Sequence, residues 1–316
     1  MAGYVNVVAA AILGRDGKVL IAKRADHLHQ GGKWEFPGGK IEQDESTEDA
    51  LCRELNEELG IRPTRFEPLI TICHEYPELR VSLDVWCVTR FLGEPKGREG
   101  QVLAWVDRSE LHQYTFPEAN YPILKALGFP DNYLITPEPR ADRTVFWDQL
   151  ETVLNRGHKL IQLRAKKLRA DDYLELAQQA KRLCDRYGAR LIINGEPEWV
   201  KRLAAHGIQL SRGRLLRHRT RPLPAGYLIG ASCHNLSELA WANQIGADFA
   251  VVSPVKETRT HPDIRPMGWE KFRTLCATSN IPVYALGGML PEDLTQARRC
   301  GGQGIAAISS LWPVNR

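Results

Sequence analysis

Eight short apolar runs recur through the second half of this chain. They are YLIT from residue 133, KLIQLR from 159, RLIIN from 190, GIQL from 207, YLIGAS from 227, DFAVVS from 248, IPVYAL from 281 and GIAAIS from 304. Amphipathic segments such as DDYLELAQQAKRLCDRYG separate most of them. Strands that are apolar throughout, alternating with helices, imply a parallel sheet covered on its faces. Eight such units in so short a span predict a compact closed (β/α)8 barrel, with a doubly wound open sheet as the alternative. The fourth unit, QLSRGRLLRHRTRPLP, leaves little room for a full helix.

The first half reads differently. YVNVVAAAIL, then GRDGK, then VLIAKR is a buried strand, a tight turn and its return. FEPLITICHEY, LRVSLDVWCVTRFLG and VLAWVD are β-rich, and a short helix over residues 121–127 ends at Gly128, with Pro130 as a stop. An α+β unit of mixed sheet and helices over 1–130, followed by the α/β barrel over 131–316, is the expected organisation. The length of 316 residues suits two domains. No apolar run is long enough for a membrane helix, and the N-terminus reads as a first strand, not a leader. Seven cysteines without a CxxC pair predict reduced thiols and a cytoplasmic protein. Residues 1–130 hold 15 basic against 20 acidic side chains, and residues 131–316 hold 27 against 18. An acidic first half suits a cation site and a basic second half suits an anion such as phosphate. No basic groove with interleaved aromatics points to nucleic acid.

Between the first strands and the β-rich stretch lies EFPGGKIEQDESTEDALCRELNEELGI, residues 35–61. Ser46 and Asp49 can cap a helix that Gly60 ends. Glu54, Glu57 and Glu58 then fall on one turn, where like charges repel. Oxygen ligands of this kind suit a hard divalent ion, Mg2+ with Mn2+ as the alternative. The three carboxylates are expected to converge on one point, where a carbonyl of Gly38 or Gly39 can add a ligand. Gly39 allows close backbone approach, Lys40 can meet phosphate, and Arg53 can grip a glutamate by a forked pair.

Gly39, Glu45, Arg53, Glu54, Leu55, Glu57, Glu58, Gly60 and Ile61 fill every fixed position of G-x5-E-x7-R-E-U-x-E-E-x-G-U, where U is a bulky aliphatic residue. A chance match is below roughly one in ten million per starting point. The first half therefore resembles a Nudix hydrolase. The resemblance implies metal-assisted hydrolysis of a nucleoside diphosphate linked to another group. It makes Glu54, Glu57 and Glu58 metal ligands, with Arg53 and Glu45 ordering the unit. Glu99 in GREGQ stands in the place of a further ligand or base. Over residues 4–128 the chain is similar to the MutT-type 8-oxo-dGTP diphosphatases. That likeness rests on AKRA with Arg24, WEFPGGKIE with Phe36, and TFPEAN with Asn120. It implies that Arg24 lies near the base, Phe36 packs on the purine and the Asn120 amide reads its edge. The implied reaction gives 8-oxo-dGMP and pyrophosphate and clears a mutagenic precursor from the nucleotide pool.

The second half resembles thiamine phosphate synthase and its TenI-type tautomerase relatives. The residues that carry the likeness lie in IQLRAK, LIIN, GADFAVVSPVKETRTHP, ALGGM and GIAAISS. The resemblance supports a TIM-type barrel and implies ligand contacts at Gln162, Arg164, Lys166 and Asn194. It also implies a phosphate cup at Gly287, Gly288, Ser309 and Ser310. The synthases hold a pyrophosphate-bound Mg2+ with an Asp after the Asn and a second Asp further on. Here those positions are Gly195 and about Arg214, and a lysine of the synthase's Thr-rich loop appears as His261. His234 lies where the tautomerases keep a proton-transferring histidine. A degenerate synthase-like barrel, a thiamine-pathway enzyme and a binding module without turnover all remain open on the sequence.

Overall fold

A computed structural model describes residues 4–27, 30–139, 143–258 and 264–313. The chain divides into two compact units, Met1–Gly128 and Phe129–Arg316. The division falls two residues before that drawn from the helix stop signals. Phe129 belongs to the second unit because its ring is buried with Tyr133, Phe249 and Tyr284.

The first unit begins with the strands β1 (Val5–Leu13), β2 (Val19–Lys23), β3 (Trp34–Glu35) and β4 (Gly38–Lys40), followed by helix α1 (Thr47–Leu59). The strands β5 (Arg62–Glu75), β6 (Arg80–Leu92) and β7 (Leu103–Val106) and helix α2 (Tyr121–Gly128) complete it. The sheet order is β3-β2-β1-β6-β5, with β4 also paired to β1 and β7 to β2. β1 runs parallel to β6, and the other pairings are antiparallel. β1 is apolar on both faces because each is covered. Val8, Ala10 and Ile12 pack with Leu51, Leu55 and Leu59 of α1. Ala9 and Ala11 face the opposite layer with Ile123, Ala126 and Leu127 of α2.

The second unit comprises β8 (Asn132–Ile135), α3 (Thr144–Asn155), β9 (Leu160–Leu163), α4 (Ala170–Arg186), β10 (Arg190–Ile193), α5 (Pro197–Leu203), β11 (Gly207–Leu210) and α6 (Arg212–Leu215). It continues with β12 (Leu228–Cys233), α7 (Leu236–Gln244), β13 (Phe249–Val252), α8 (Gly268–Ala277), β14 (Val283–Leu286), α9 (Leu294–Arg299) and β15 (Gly304–Ala307). The eight strands close as β10-β11-β12-β13-β14-β15-β8-β9, all parallel. Alternate residues of one strand serve two cores: Tyr133 and Ile135 fill the barrel interior, and Leu134 faces the helices. The polar and proline-rich fourth unit yields only the four-residue α6. Closure excludes the open-sheet alternative.

All seven cysteines are free thiols, and Cys184, Cys233, Cys276 and Cys300 are buried. Among the described residues no helix is long and apolar enough to cross a membrane.

Candidate functional site

In the first unit a bend leads into α1. Gly38 takes φ of +148°, and a Cβ there would lie 2.1 Å from the Val8 carbonyl oxygen, so only glycine lets β4 close on β1. Gly39 pairs with Val8. The Glu54 carboxyl occupies the space beside it, 2.3 Å from where a Cβ would stand. The Ser46 Oγ accepts from the Asp49 N–H at 3.1 Å and caps α1, and the αL conformation of Gly60 ends it.

A guanidinium offsets the repulsion built into α1. Arg53 Nε and Nη2 donate to the two Glu45 carboxylate oxygens, each at 2.8 Å, so the glutamate it grips by a forked pair is Glu45. Its Nη1 reaches Glu54 at 2.8 Å and Glu57 at 3.2 Å, and Nη2 also meets the Lys40 carbonyl at 3.0 Å. Hydrogen bonds from Arg53, with a second from the Glu42 N–H, bring the Glu45 carboxyl down to about 2. Those same bonds from Glu45 and Glu54 raise the Arg53 pKa. Lys40 itself extends into solvent.

The three glutamates do not converge on one point as expected. Glu54 and Glu57 share Arg53, while Glu58 turns back and accepts the Gly38 N–H at 3.1 Å. Among the described residues no three acidic, histidine or cysteine side chains stand close enough to hold an ion in this conformation. The donor set nevertheless fits one. Burial, reinforced by the charges of Glu35, Glu99 and Glu54, pushes the Glu58 carboxyl up to about 8 despite the Gly38 N–H. A cation among these carboxylates would relieve that strain, and carboxylate and carbonyl oxygens are the donors a hard divalent ion takes.

Glu99 is brought to this corner by two residues that the sequence reading passed over. Arg98 Nη1 donates to the Asn56 carbonyl at 3.0 Å and Gln101 Nε2 to the Glu58 carbonyl at 3.2 Å. With the Lys96 N–H on Leu59 and the Arg98 N–H on Glu58, these bonds satisfy the last carbonyls of α1; that of Asn56 also accepts the Gly60 N–H. Gln101 Oε1 also accepts the Glu99 N–H at 2.9 Å.

The expected base-reading residues lie on a neighbouring cluster. Arg24 pairs with Glu35, whose carboxyl burial raises against the pull of that arginine. Tyr76 feels the Arg24 charge, and its hydroxyl accepts the Ala119 N–H at 3.3 Å, next to buried Asn120. Phe36 departs from its expected role. It is 3% exposed and stacks on Phe116 at 5.7 Å, so its ring belongs to the core and offers a purine no open face.

In the second unit the loops after the strands open on the C-terminal face of the barrel. Glu138, also missed, organises the loop after β9. It accepts the Lys166 and Lys167 N–H groups at 3.2 and 2.7 Å and lies 3.6 Å from Arg164. Burial, then the Arg164 charge, lowers the Lys166 pKa. Gln162 is buried within β9. The Asn194 N–H donates to Tyr173 Oη at 2.8 Å, and its side-chain oxygen takes Arg214 Nη1 at 3.4 Å. Arg214 Nε donates to Glu196 at 2.9 Å. Past β12, His234 Nδ1 donates to the Ser253 carbonyl at 2.7 Å, which leaves Nε2 as the basic nitrogen. Gly287 and Gly288 have φ of +96° and +67°, and Ser310 Oγ donates to the Met289 carbonyl at 2.7 Å. Gly288 and Ser309 are exposed. His261 lies outside the described residues.

Comparison with known proteins matches residues 132–311 to the family described as thiamine monophosphate synthase and residues 8–126 to the NUDIX domain. The chain is 38% identical over 122 residues to an 8-oxo-dGTP diphosphatase of Escherichia coli (strain K12), covering 39% of this chain and 95% of that one. It is 44% identical over 119 residues to a CTP pyrophosphohydrolase of the same organism, 38% of this chain and 88% of that one. A thiamine-phosphate synthase of Prochlorococcus marinus (strain AS9601) is 33% identical over 189 residues, 59% of this chain and 52% of that protein. The chain thus spans about half the length of that relative.

Proposed function

The chain belongs to the Nudix hydrolases through its first unit and to the thiamine monophosphate synthase family through its second, and on that premise we propose that it is a metal-dependent nucleoside triphosphate pyrophosphohydrolase acting on 8-oxo-dGTP. The observation behind this reading is the bend at Gly38 and Gly39, which holds Glu54 on one side and Glu58 on the other. Water adds to phosphorus and the bridge between the α and β phosphates breaks, releasing 8-oxo-dGMP and pyrophosphate. Mg2+ or Mn2+ held by Glu54, Glu57, Glu58, Glu99 and the Gly38 carbonyl would neutralise the polyphosphate and acidify a water. Arg53 and Glu45 keep the helix and bend in register. Lys40 meets phosphate charge at the rim. The buried Asn120 amide offers a donor and an acceptor to a purine edge, and Arg24, paired with Glu35, supplies a positive charge toward the base.

Rates of pyrophosphate release from 8-oxo-dGTP, dGTP and CTP, and of phosphate release from thiamine diphosphate, in Mg2+ test the assignment. The oxidised purine should lead by kcat/KM, and a large preference for CTP or thiamine diphosphate would overturn it. For the barrel, Gly195 and Arg214 in place of the synthase carboxylates speak against synthase chemistry, and His234, with Nδ1 on the Ser253 carbonyl, leaves Nε2 facing a ligand for proton transfer.

A further inference from the structure

Synthases of this family hold a magnesium ion at the barrel mouth, and the residues here do not fit one. Asn194 already accepts from Arg214. Glu196 is paired with the same guanidinium, through Nε and through Nη2, each at 2.9 Å. Gly195 cannot take a longer residue without a shift, because a Cβ would lie 2.4 Å from the Trp199 ring. Trp199 is itself packed on Tyr173 at 5.7 Å, and Tyr173 Oη donates to the Leu163 carbonyl and accepts the Asn194 N–H. The corner is therefore braced on two sides, and its centre is a guanidinium, which has five donors and no lone pair to give a metal. A fixed positive charge stands where carboxylates would otherwise gather a mobile one.

The charges around it favour an anion. Arg164 and Lys166 follow β9, Arg214 lies in α6 after β11, and Glu138 and Glu196 oppose them. Arg214 keeps about a quarter of its side chain in solvent, with 27% exposed; its Nε–Nη2 edge is tied to Glu196, while Nη1 makes a single long contact of 3.4 Å with Asn194. A planar guanidinium anchored along one edge presents its remaining N–H groups to phosphate oxygens at fixed angles.

We propose that this corner binds the phosphoryl group of a small organic phosphate with no divalent cation, Arg214 serving as the built-in positive charge. Glu196 sets the orientation of Arg214 and at the same time weakens its field. The hydrolase chemistry of the first unit plays no part in this proposal.

Isothermal titration of the full chain with phenyl phosphate tests it, using Glu54→Gln/Glu57→Gln protein so that Mg2+ at the first unit adds no heat. Binding in EDTA should match binding in Mg2+ within twofold. Arg214→Gln should weaken binding in EDTA at least tenfold. Glu196→Gln should tighten it about threefold by leaving the guanidinium unneutralised, whereas a merely structural Glu196 would weaken it. Arg214→Asp frees Glu196 and sets a second carboxylate beside it, so binding should fail in EDTA and return with Mg2+. Binding that requires Mg2+ in the parent protein, no binding in either condition, or unchanged affinity in Arg214→Gln would each overturn the proposal.

Discussion

Gly39→Ala isolates the position of one carboxylate. The added Cβ would stand 2.3 Å from the Glu54 carboxyl carbon and from Oε2, and 2.4 Å from Oε1, whereas ordinary contact begins at 3.4 Å. The carboxyl must therefore retreat by about 1.1 Å, the difference between those separations. Arg53 resists the retreat through its 2.8 Å bond to Glu54. The backbone at Gly39 is not in the left-handed region, and the obstructing atoms end a flexible side chain, so the fold should survive at a cost of about 1 kcal/mol. A displacement of about 1 Å in a catalytic constellation costs roughly a hundredfold in rate, or about 2.7 kcal/mol of transition-state stabilisation. Steady-state pyrophosphate release from 8-oxo-dGTP in Mg2+ measures this. Gly39→Ala should fall about a hundredfold in kcat/KM, and adding Glu54→Asp, one methylene shorter, should recover part of the loss. Gly38→Ala is the contrast, since its Cβ would meet the Val8 backbone and cost the fold. Wild-type turnover by folded Gly39→Ala protein would refute the placement of Glu54 in the chemistry.

Asp84 gives a prediction in pH. Burial, then the charge of Glu48, raises its carboxyl from 3.8 to about 6. The folded state thus binds the proton more tightly than the unfolded chain, and stability falls as pH rises from about 4 to 6, by at most ~3 kcal/mol. Asp84→Asn should be more stable in urea at pH 7.5 and equal to the parent near pH 4; a gap that ignores pH would sink the idea. Asn120→Ala should lower kcat/KM for 8-oxo-dGTP more than for CTP, by tenfold or more if the amide reads the purine edge; equal losses would remove Asn120 from base recognition. Gly195→Asp alone should yield no thiamine phosphate from pyrimidine diphosphate and thiazole phosphate, because Trp199 and Arg214 still fill the corner; product formation would contradict that packing.

The features legible in the sequence are those set by neighbours along the chain. The Ser46 cap and the Gly60 stop follow from spacings within α1 and its approach, as does a forked arginine pair, although not which glutamate completes it. Each barrel strand announced itself as an apolar run because both of its faces are buried. What escaped the reading depends on distant pairing. Glu138 meets its loop only because β8 lies beside β9, and Glu196 meets Arg214 only because β10 lies beside β11. Phe36 could not be assigned a face because β3 is two residues long and gives no alternation to follow. Glu58 stands apart from the Arg53 pairs of Glu54 and Glu57 because it accepts the Gly38 N–H, and helical spacing alone does not reveal that donor.

The closing bonds of α1 have a consequence for anyone transplanting the proposed catalytic unit. Its final carbonyls are sealed by Lys96, Arg98 and Gln101, and the segment that seals them also holds Glu99. Bend and helix moved to a new scaffold without residues 96–101 would arrive with a frayed end and one acid short. The portable piece is discontinuous, and its two parts must travel together.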